Sequence, residues 1–197
     1  MEGEEAHGGS AMRGRRDALM AAAPLIAAVE EIALAAVGAG GEAGRGTVGQ
    51  VEVHPASRNV CPGRAWFSVD FRHGDPERLD WMGQELAARA AAIGAARGVR
   101  ATVAPFWHSP LTPFDPALVR RARDAATARG LRWRDIPTGI GHDAVYLARR
   151  VPSVMVFTPC HGGISHNEAE SITPGWATAG LEVLADAALA TAVLVKG

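Results

Sequence analysis

A segment with three prolines divides the sequence into two parts. Residues 108–116 read HSPLTPFDP. Because proline lacks a backbone N–H and restricts the residue before it, such a segment cannot lie inside a helix or a central strand. We therefore expect the 197 residues to fold as two parts that meet near Leu111, namely 1–111 and 112–197.

The first part combines two helical patterns with strand-type alternation of apolar residues. The helical segments are 13–37 and 76–97, and the strand segments are a short first one ending at His7, then 47–53, 64–72 and 99–107. The order is strand, helix, strand, strand, helix, strand. This is the split order of the ferredoxin-like α+β fold.

The second part contains too few strands to be a domain by itself. The pattern predicts helices at 116–129, 143–150 and from 174 to about 195, and strands at 131–136 and 153–158. Two strands cannot form a sheet that is covered by helices on both faces. Residues 112–197 either add strands to a sheet built by another polypeptide or are part of a longer α/β domain. We expect the isolated chain to be marginally stable or to self-associate, because the apolar stretch SVMVFT is incompletely covered.

Composition excludes several classes of protein. Hydrophobic residues at 48% and charged residues at 21% are ordinary for a globular chain, and a net charge of -1 argues against a nucleic-acid partner. The two cysteines form no CxxC pair, which favours a reducing cytoplasm over a disulfide scaffold. No run approaches 18 apolar residues, so no membrane span is expected. The arginines Arg13, Arg15 and Arg16 are expected on a solvated helix face.

Two loops and one strand end are candidate site elements. Residues 138–144, TGIGHDA, match a dinucleotide fingerprint only weakly, because Pro152 cuts the helix short and no acidic residue ends the next strand. A glycine loop with amides directed at a carboxylate or carbonyl is better supported.

His166 follows an apolar strand, where metals collect, but one histidine cannot hold zinc, and Cys160 and His161 are weaker co-ligand candidates. Arg72 ends a strand and suits bidentate capture of a carboxylate.

Four motifs, in order, resemble one family over almost the whole chain. The motifs are EGEEAHGGSAMRGRRDAL, RNVCPGRAWFSVDFR, PTGIGHDA and VFTPCHGGISHNEAE. They resemble the C-terminal half of the dinuclear zinc amidohydrolases, which include N-carbamoyl-L-amino-acid hydrolase, beta-ureidopropionase and allantoate amidohydrolase. The resemblance implies that 1–111 is a ferredoxin-like lid and dimerisation domain with a truncated first strand, and that 112–197 is the C-terminal segment of a catalytic α/β domain.

The resemblance also implies roles for six residues. It makes His166 the last metal ligand and His7 the lid histidine that polarises the scissile carbonyl, often across the dimer. The substrate-binding positions are Asn59 and Arg72, which hold the substrate carboxylate, and Gly141 and His142 of the glycine loop. The sequence departs from the family by HGGSAM in place of HAG followed by TTPM, and by Cys160 in place of serine.

The remaining ligands of the two zinc ions, or of manganese or another divalent ion, lie upstream of the lid in the family. So does the catalytic glutamate. We therefore expect an amidohydrolase that cleaves a linear amide or ureido C–N bond of an N-carbamoyl amino acid or an allantoate-like ureide, present as a C-terminal fragment. The expected partners are the small substrate and a second copy bound through the lid; a separate chain supplying the N-terminal half is a further option, and whether that half is encoded separately or lost stays open. The alternatives are a non-catalytic lid and dimerisation module, or a carboxylate-binding protein that uses Arg72 and the Gly141 loop.

Overall fold

The computed structural model describes residues 1–194. The chain divides into two compact units, Met1–Leu111 and Thr112–Gly197, and each is described by itself. The fold is mixed α/β, as the sequence predicts. The assignment of the units as a lid and as a catalytic segment stays a prediction.

The first unit contains four strands and two long helices. They are β1 (Ala6–His7), α1 (Ala18–Ala35), β2 (Arg45–His54), β3 (Val60–Cys61), β4 (Arg64–Arg72) and α2 (Pro76–Arg97).

The expectation that the first helix starts at Arg13 is wrong. The Asp17 side chain caps α1 by accepting hydrogen bonds from the N–H groups of Leu19 and Met20 at 3.0 and 2.9 Å. Gly14, with φ of 84°, lies in a left-handed conformation that a helix excludes.

Strand pairing in this unit follows the ferredoxin-like order. β2 pairs with β4 and β1 pairs with β3, both antiparallel. Glu2 forms antiparallel bridges to both Arg64 and Arg100, so the N-terminal segment lies between the segment after α2 and the β3–β4 segment. The predicted strand at 99–107 is reduced to the Arg100 bridge. Residues 101–107 form no strand or bridge in this unit.

The core of the first unit lies between the two helices and the sheet. Ile32 of α1 and Met82 of α2 are fully buried, and Phe67 and Phe71 of β4 pack against this cluster. α1 is also long and apolar enough to cross a membrane by length and composition, contrary to the expectation that no such run exists. Eight of its residues are buried within the unit, which accounts for its apolar character.

In the described part of the second unit the α-helices are α3 (Pro116–Ala128), α4 (Asp143–Ala148) and α5 (Pro174–Leu194), and a short 3-10 helix covers His161–Gly163. Asp115 caps α3, accepting from the N–H groups of Ala117 and Leu118 at 2.9 Å. Arg129 ties α3 to α5 through Glu182 at 2.6 Å and Asp186 at 2.7 Å.

The predicted strands 131–136 and 153–158 do not form. A parallel strand needs a hydrogen-bonded neighbour, and within residues 1–194 the backbone of 132–136 and of 154–158 makes no backbone hydrogen bond. Leu131 and Val156 nevertheless pack on a small cluster formed by α3 and α5. Trp133 and Phe157 remain 48% and 42% exposed. The two segments therefore lie against the helices on one side only.

Candidate active site

The structure brings His7 and Asn59 together at one end of the first unit. His7 pairs with Val60 across β1 and β3, and the N–H of Gly8 donates to the carbonyl oxygen of Asn59 at 2.7 Å. Both His7 and Asn59 are exposed. The Asn59 side-chain oxygen accepts a hydrogen bond from the Ser57 hydroxyl at 2.9 Å, which orients the amide. Two of the six predicted site residues are thus neighbours.

One hydrogen bond determines which nitrogen of the His7 imidazole is free to donate. The N–H of Gly9 donates to His7 Nδ1 at 3.1 Å, so Nδ1 acts as an acceptor. In the neutral ring the proton then resides on Nε2, because one ring nitrogen accepts and the other donates. An exposed Nε2–H can donate a hydrogen bond to a carbonyl oxygen or to the oxyanion that forms from it.

Arg72 lies at the far end of β4. Its Nε and Nη2 donate to the same carboxylate oxygen of Asp70, at 2.9 and 2.6 Å. The hydrogen bonds that Arg72 donates to Asp70 raise the pKa of Arg72, against the opposing effect of partial burial, so the guanidinium is charged at any physiological pH. Asp70 was not predicted as a site residue, although residues two apart on a strand share a face and this pairing could have been anticipated.

Arg72 and Asn59 are not brought together within one chain. β4 spans nine residues from Arg64 to Arg72, which corresponds to about 26 Å at about 3.3 Å for each of eight steps. Asn59 lies beyond the Arg64 end, close to His7. One carboxylate therefore cannot contact both side chains within a single chain.

The glycine loop of the second unit is open. His142 caps α4, with Nδ1 accepting from the N–H of Ala144 at 3.0 Å. A Cβ added at Gly141 would meet no heavy atom within 4 Å, and Gly141 does not have a positive φ. Nothing in the described part of this unit requires glycine at 141. A ligand that approaches the backbone closely would require it.

His166 lies in a loop closed by backbone hydrogen bonds. The N–H of His161 donates to the carbonyl of Ser171 at 2.9 Å, and the N–H of His166 donates to a carboxylate oxygen of Glu170 at 2.9 Å. His166 has φ of 57°, a left-handed conformation that is uncommon outside glycine. The Glu170 carboxylate thus supports an unusual backbone geometry at the residue that the resemblance makes a metal ligand.

The described residues show no metal centre. Over residues 1–194, no group of three or more histidine, cysteine, aspartate or glutamate side chains is arranged to hold a metal ion. His161, a weaker co-ligand candidate, packs its ring against Trp176 with centroids 5.1 Å apart. Because zinc needs three or four protein ligands, His166 could serve only as one donor to an ion held mainly by other residues.

Comparison with known proteins defines the class. Residues 2–190 match the Peptidase family M20/M25/M40, and the chain belongs to this family. It is 39% identical over its whole length to an N-carbamoyl-L-amino-acid amidohydrolase from Rhizobium meliloti, of which it covers 46%. It is 32% identical to an allantoate amidohydrolase from Bacillus subtilis strain 168, with 94% of this chain and 44% of that protein covered.

A solved structure shows the same relationship. An amidase of the hydantoinase/carbamoylase family from Burkholderia vietnamiensis matches with a TM-score of 0.87 and 46% identity, covering 96% of this chain and 45% of that one. The chain therefore spans about half the length of the relatives it matches. The resemblance read from the four motifs is confirmed at the level of the family.

Proposed function

We propose that this chain is part of an amidohydrolase that cleaves a linear amide or ureido C–N bond of an N-carbamoyl amino acid or an allantoate-like ureide. The observation that carries the proposal is the exposed His7 imidazole, whose Nδ1 accepts from Gly9 and whose Nε2 can therefore donate to a substrate carbonyl. Similarity to N-carbamoyl amino acid and allantoate amidohydrolases supports the substrate class.

The other candidate residues would bind and orient the substrate. Arg72, already charged and oriented by Asp70, suits a carboxylate, and the Asn59 amide can add a hydrogen bond. The open backbone at Gly141 and the neighbouring His142 would accept the body of the substrate. We propose that the divalent ions, zinc or manganese, are held mainly by residues outside this chain and that His166 is a single additional donor.

We further propose that the site is shared between two copies of the chain. The separation of about 26 Å along β4 prevents Arg72 from acting with Asn59 and His7 on one small substrate. A homodimer through the first unit could place the Arg72 end of one copy beside the His7 end of the other. In such a homodimer, Arg72 of one copy could act together with His7 and Asn59 of the other copy, and the sheet would not have to change.

A further polypeptide would complete the second unit. Segment 154–158 is apolar whereas 132–136 is mixed and exposed, and among the described residues the backbone of both forms no backbone hydrogen bond. Extended segments with unpaired N–H and C=O groups can pair with a further strand, so strands from another polypeptide would complete a sheet here. We propose that this polypeptide also carries the missing metal ligands and the general base. Two cysteines without a disulfide fit a reducing, cytoplasmic enzyme.

Complementation tests the proposal. The chain is co-expressed with the part of the Rhizobium meliloti relative that it does not cover, and the pair is assayed on N-carbamoyl-L-amino acids and on allantoate. We expect hydrolysis of at least one of them, and a KM at least about tenfold higher for Arg72→Lys, which keeps the charge but loses the planar fork. Arg45→Lys, at the paired position on β2, is the control. A stable complex that hydrolyses neither substrate would refute the proposal.

A further inference from the structure

Arg15 does not have the solvated helical position that the sequence suggested. It lies in the segment between β1 and α1, and its Nη2 donates to the carbonyl oxygen of Gly8 at 2.9 Å and also to that of Ser10. Its neighbours behave differently. Arg16 pairs with Glu4 at 2.8 Å on the surface, and Arg13 is exposed. Arg15 alone among these three arginines binds the loop that follows His7.

The loop that Arg15 binds determines which nitrogen of the neutral His7 ring carries the proton. The N–H of Ser10 donates to the His7 carbonyl at 2.8 Å, which closes a turn, and the N–H of Gly9 inside that turn donates to His7 Nδ1. Arg15 holds the carbonyls on both sides of Gly9. Because a guanidinium donates to both, the peptide groups that aim the Gly9 N–H at the ring are fixed in orientation.

Arg15 is also partly withdrawn from water. Its Nε is buried and has no hydrogen-bond partner among the described residues. Leaving a buried donor unpaired is unfavourable, so the side chain would lie in solvent unless its other contacts held it in place. The two carbonyl acceptors provide those contacts, and they belong to the loop that follows His7.

We propose that Arg15 is a positioning residue for His7: by binding the Gly8 and Ser10 carbonyls, it keeps the imidazole proton on Nε2, where it can reach a substrate carbonyl. The chemical use of that proton rests on the function proposed above. The effect on the ring does not, because it follows from the hydrogen bonds within this loop.

Imidazole nitrogen resonances test the inference in the full chain. Long-range proton–nitrogen correlation spectra, with His7→Gln for assignment, report which ring nitrogen carries the proton. We expect the neutral ring of the unmodified chain to carry it on Nε2. In Arg15→Met we expect a mixture of both tautomers and at least tenfold faster hydrogen exchange at the Gly9 and Ser10 amides. Arg13→Met, with the same change of charge, should leave both unchanged.

If Arg15→Met does not fold, Arg15→Lys tests the same role of Arg15. The lysine side chain ends one bond short of the arginine Nη2 that donates to both carbonyls, so faster exchange at the same amides is again expected, with a smaller shift of tautomer. Wild-type spectra in both folded variants, or an Nδ1–H tautomer in the unmodified chain, would overturn the inference.

Activity separates this inference from the proposed function. In the complemented enzyme, we expect Arg15→Met to lower kcat by about tenfold or more while KM stays within about twofold, because His7 acts on developing charge. If the complemented enzyme hydrolyses nothing, the proposed function fails, and the tautomer and exchange measurements still decide the role of Arg15.

Discussion

The backbone N–H of Gly8 donates to the carbonyl oxygen of Asn59 at 2.7 Å, immediately after the His7–Val60 pair. This hydrogen bond joins the loop that carries His7 to the loop that carries Asn59. The two candidate residues are 52 positions apart in the sequence, yet one backbone contact fixes their relative position.

Gly8→Ala should disturb this junction. A Cβ at position 8 would lie 2.8 Å from the Asn59 carbonyl oxygen, a backbone atom that cannot rotate away. We expect a loss of about 1–3 kcal/mol in the free energy of unfolding, measured by urea denaturation. Full stability of the variant would show that β1 and β3 do not pair in this way.

Gly141→Ala should behave in the opposite manner. The added methyl group meets open space, so the free energy of unfolding should change by less than about 0.5 kcal/mol. In the complemented enzyme the same variant should raise KM, because the methyl group keeps substrate away from the backbone. Unchanged KM together with unchanged stability would remove Gly141 from the substrate-binding site.

The contact between Arg129 and Asp186 should make the stability of the second unit depend on pH. The hydrogen bond from Arg129 lowers the pKa of Asp186 below its ordinary value. Because the pKa is depressed in the folded state, the stabilisation is fully present above the ordinary aspartate pKa of about 3.9 and disappears as the pH falls through the folded-state pKa.

Unfolding midpoints recorded between about pH 2 and pH 6 check this dependence. Asp186→Asn should be less stable than the unmodified chain at the upper end, and the two should converge under acid. Asp124→Asn, a carboxylate on α3, serves as the control. If the unfolding midpoints of Asp186→Asn and of the unmodified chain differ by the same amount at every pH, the contact between Arg129 and Asp186 is not the cause of the pH dependence.

The two thiols should react at different rates. Burial raises the pKa of the Cys61 thiol, and a hydrogen bond with Asp17 raises it further. The Cys61 Sγ also contacts the Glu4 carbonyl oxygen at 3.8 Å. Since the thiolate is the reactive form, Cys61 should react slowly with a disulfide reagent, whereas the half-buried Cys160 should react faster. Cys160→Ser should abolish the fast phase, and a remaining fast phase would refute the burial of Cys61.

The sequence predicted a helix well where a terminal signal residue agreed with the helical spacing of the apolar residues. The helix predicted at 76–97 is α2, which ends at Gly98 in the left-handed conformation at φ of 63° and whose start Asp75 caps. The apolar pattern alone failed at the start of α1, where it extended to Arg13 although Asp17 is the cap. Helical spacing cannot distinguish the first turn from a preceding loop, and this error concealed the role of Arg15.

Strands were predicted less well because a strand depends on its neighbour. Residues 64–72 form a strand because β2 pairs with them, whereas 153–158 have an equally apolar sequence and form none. Residue type and position indicated Arg72, His166 and the glycine loop, and the family resemblance added His7 and Asn59, but the long distance between Arg72 and Asn59 depends on register, which no local pattern reveals.

The metal content of the purified chain distinguishes one metal donor from a complete site. In the proposed function this chain provides His166 as a single donor and another polypeptide provides the other ligands. Elemental analysis after dialysis should therefore find no stoichiometric zinc or manganese in the chain alone, and about two ions for each complemented pair, together with hydrolysis of a carbamoyl amino acid or a ureide. Two tightly bound ions in the chain alone would contradict the account.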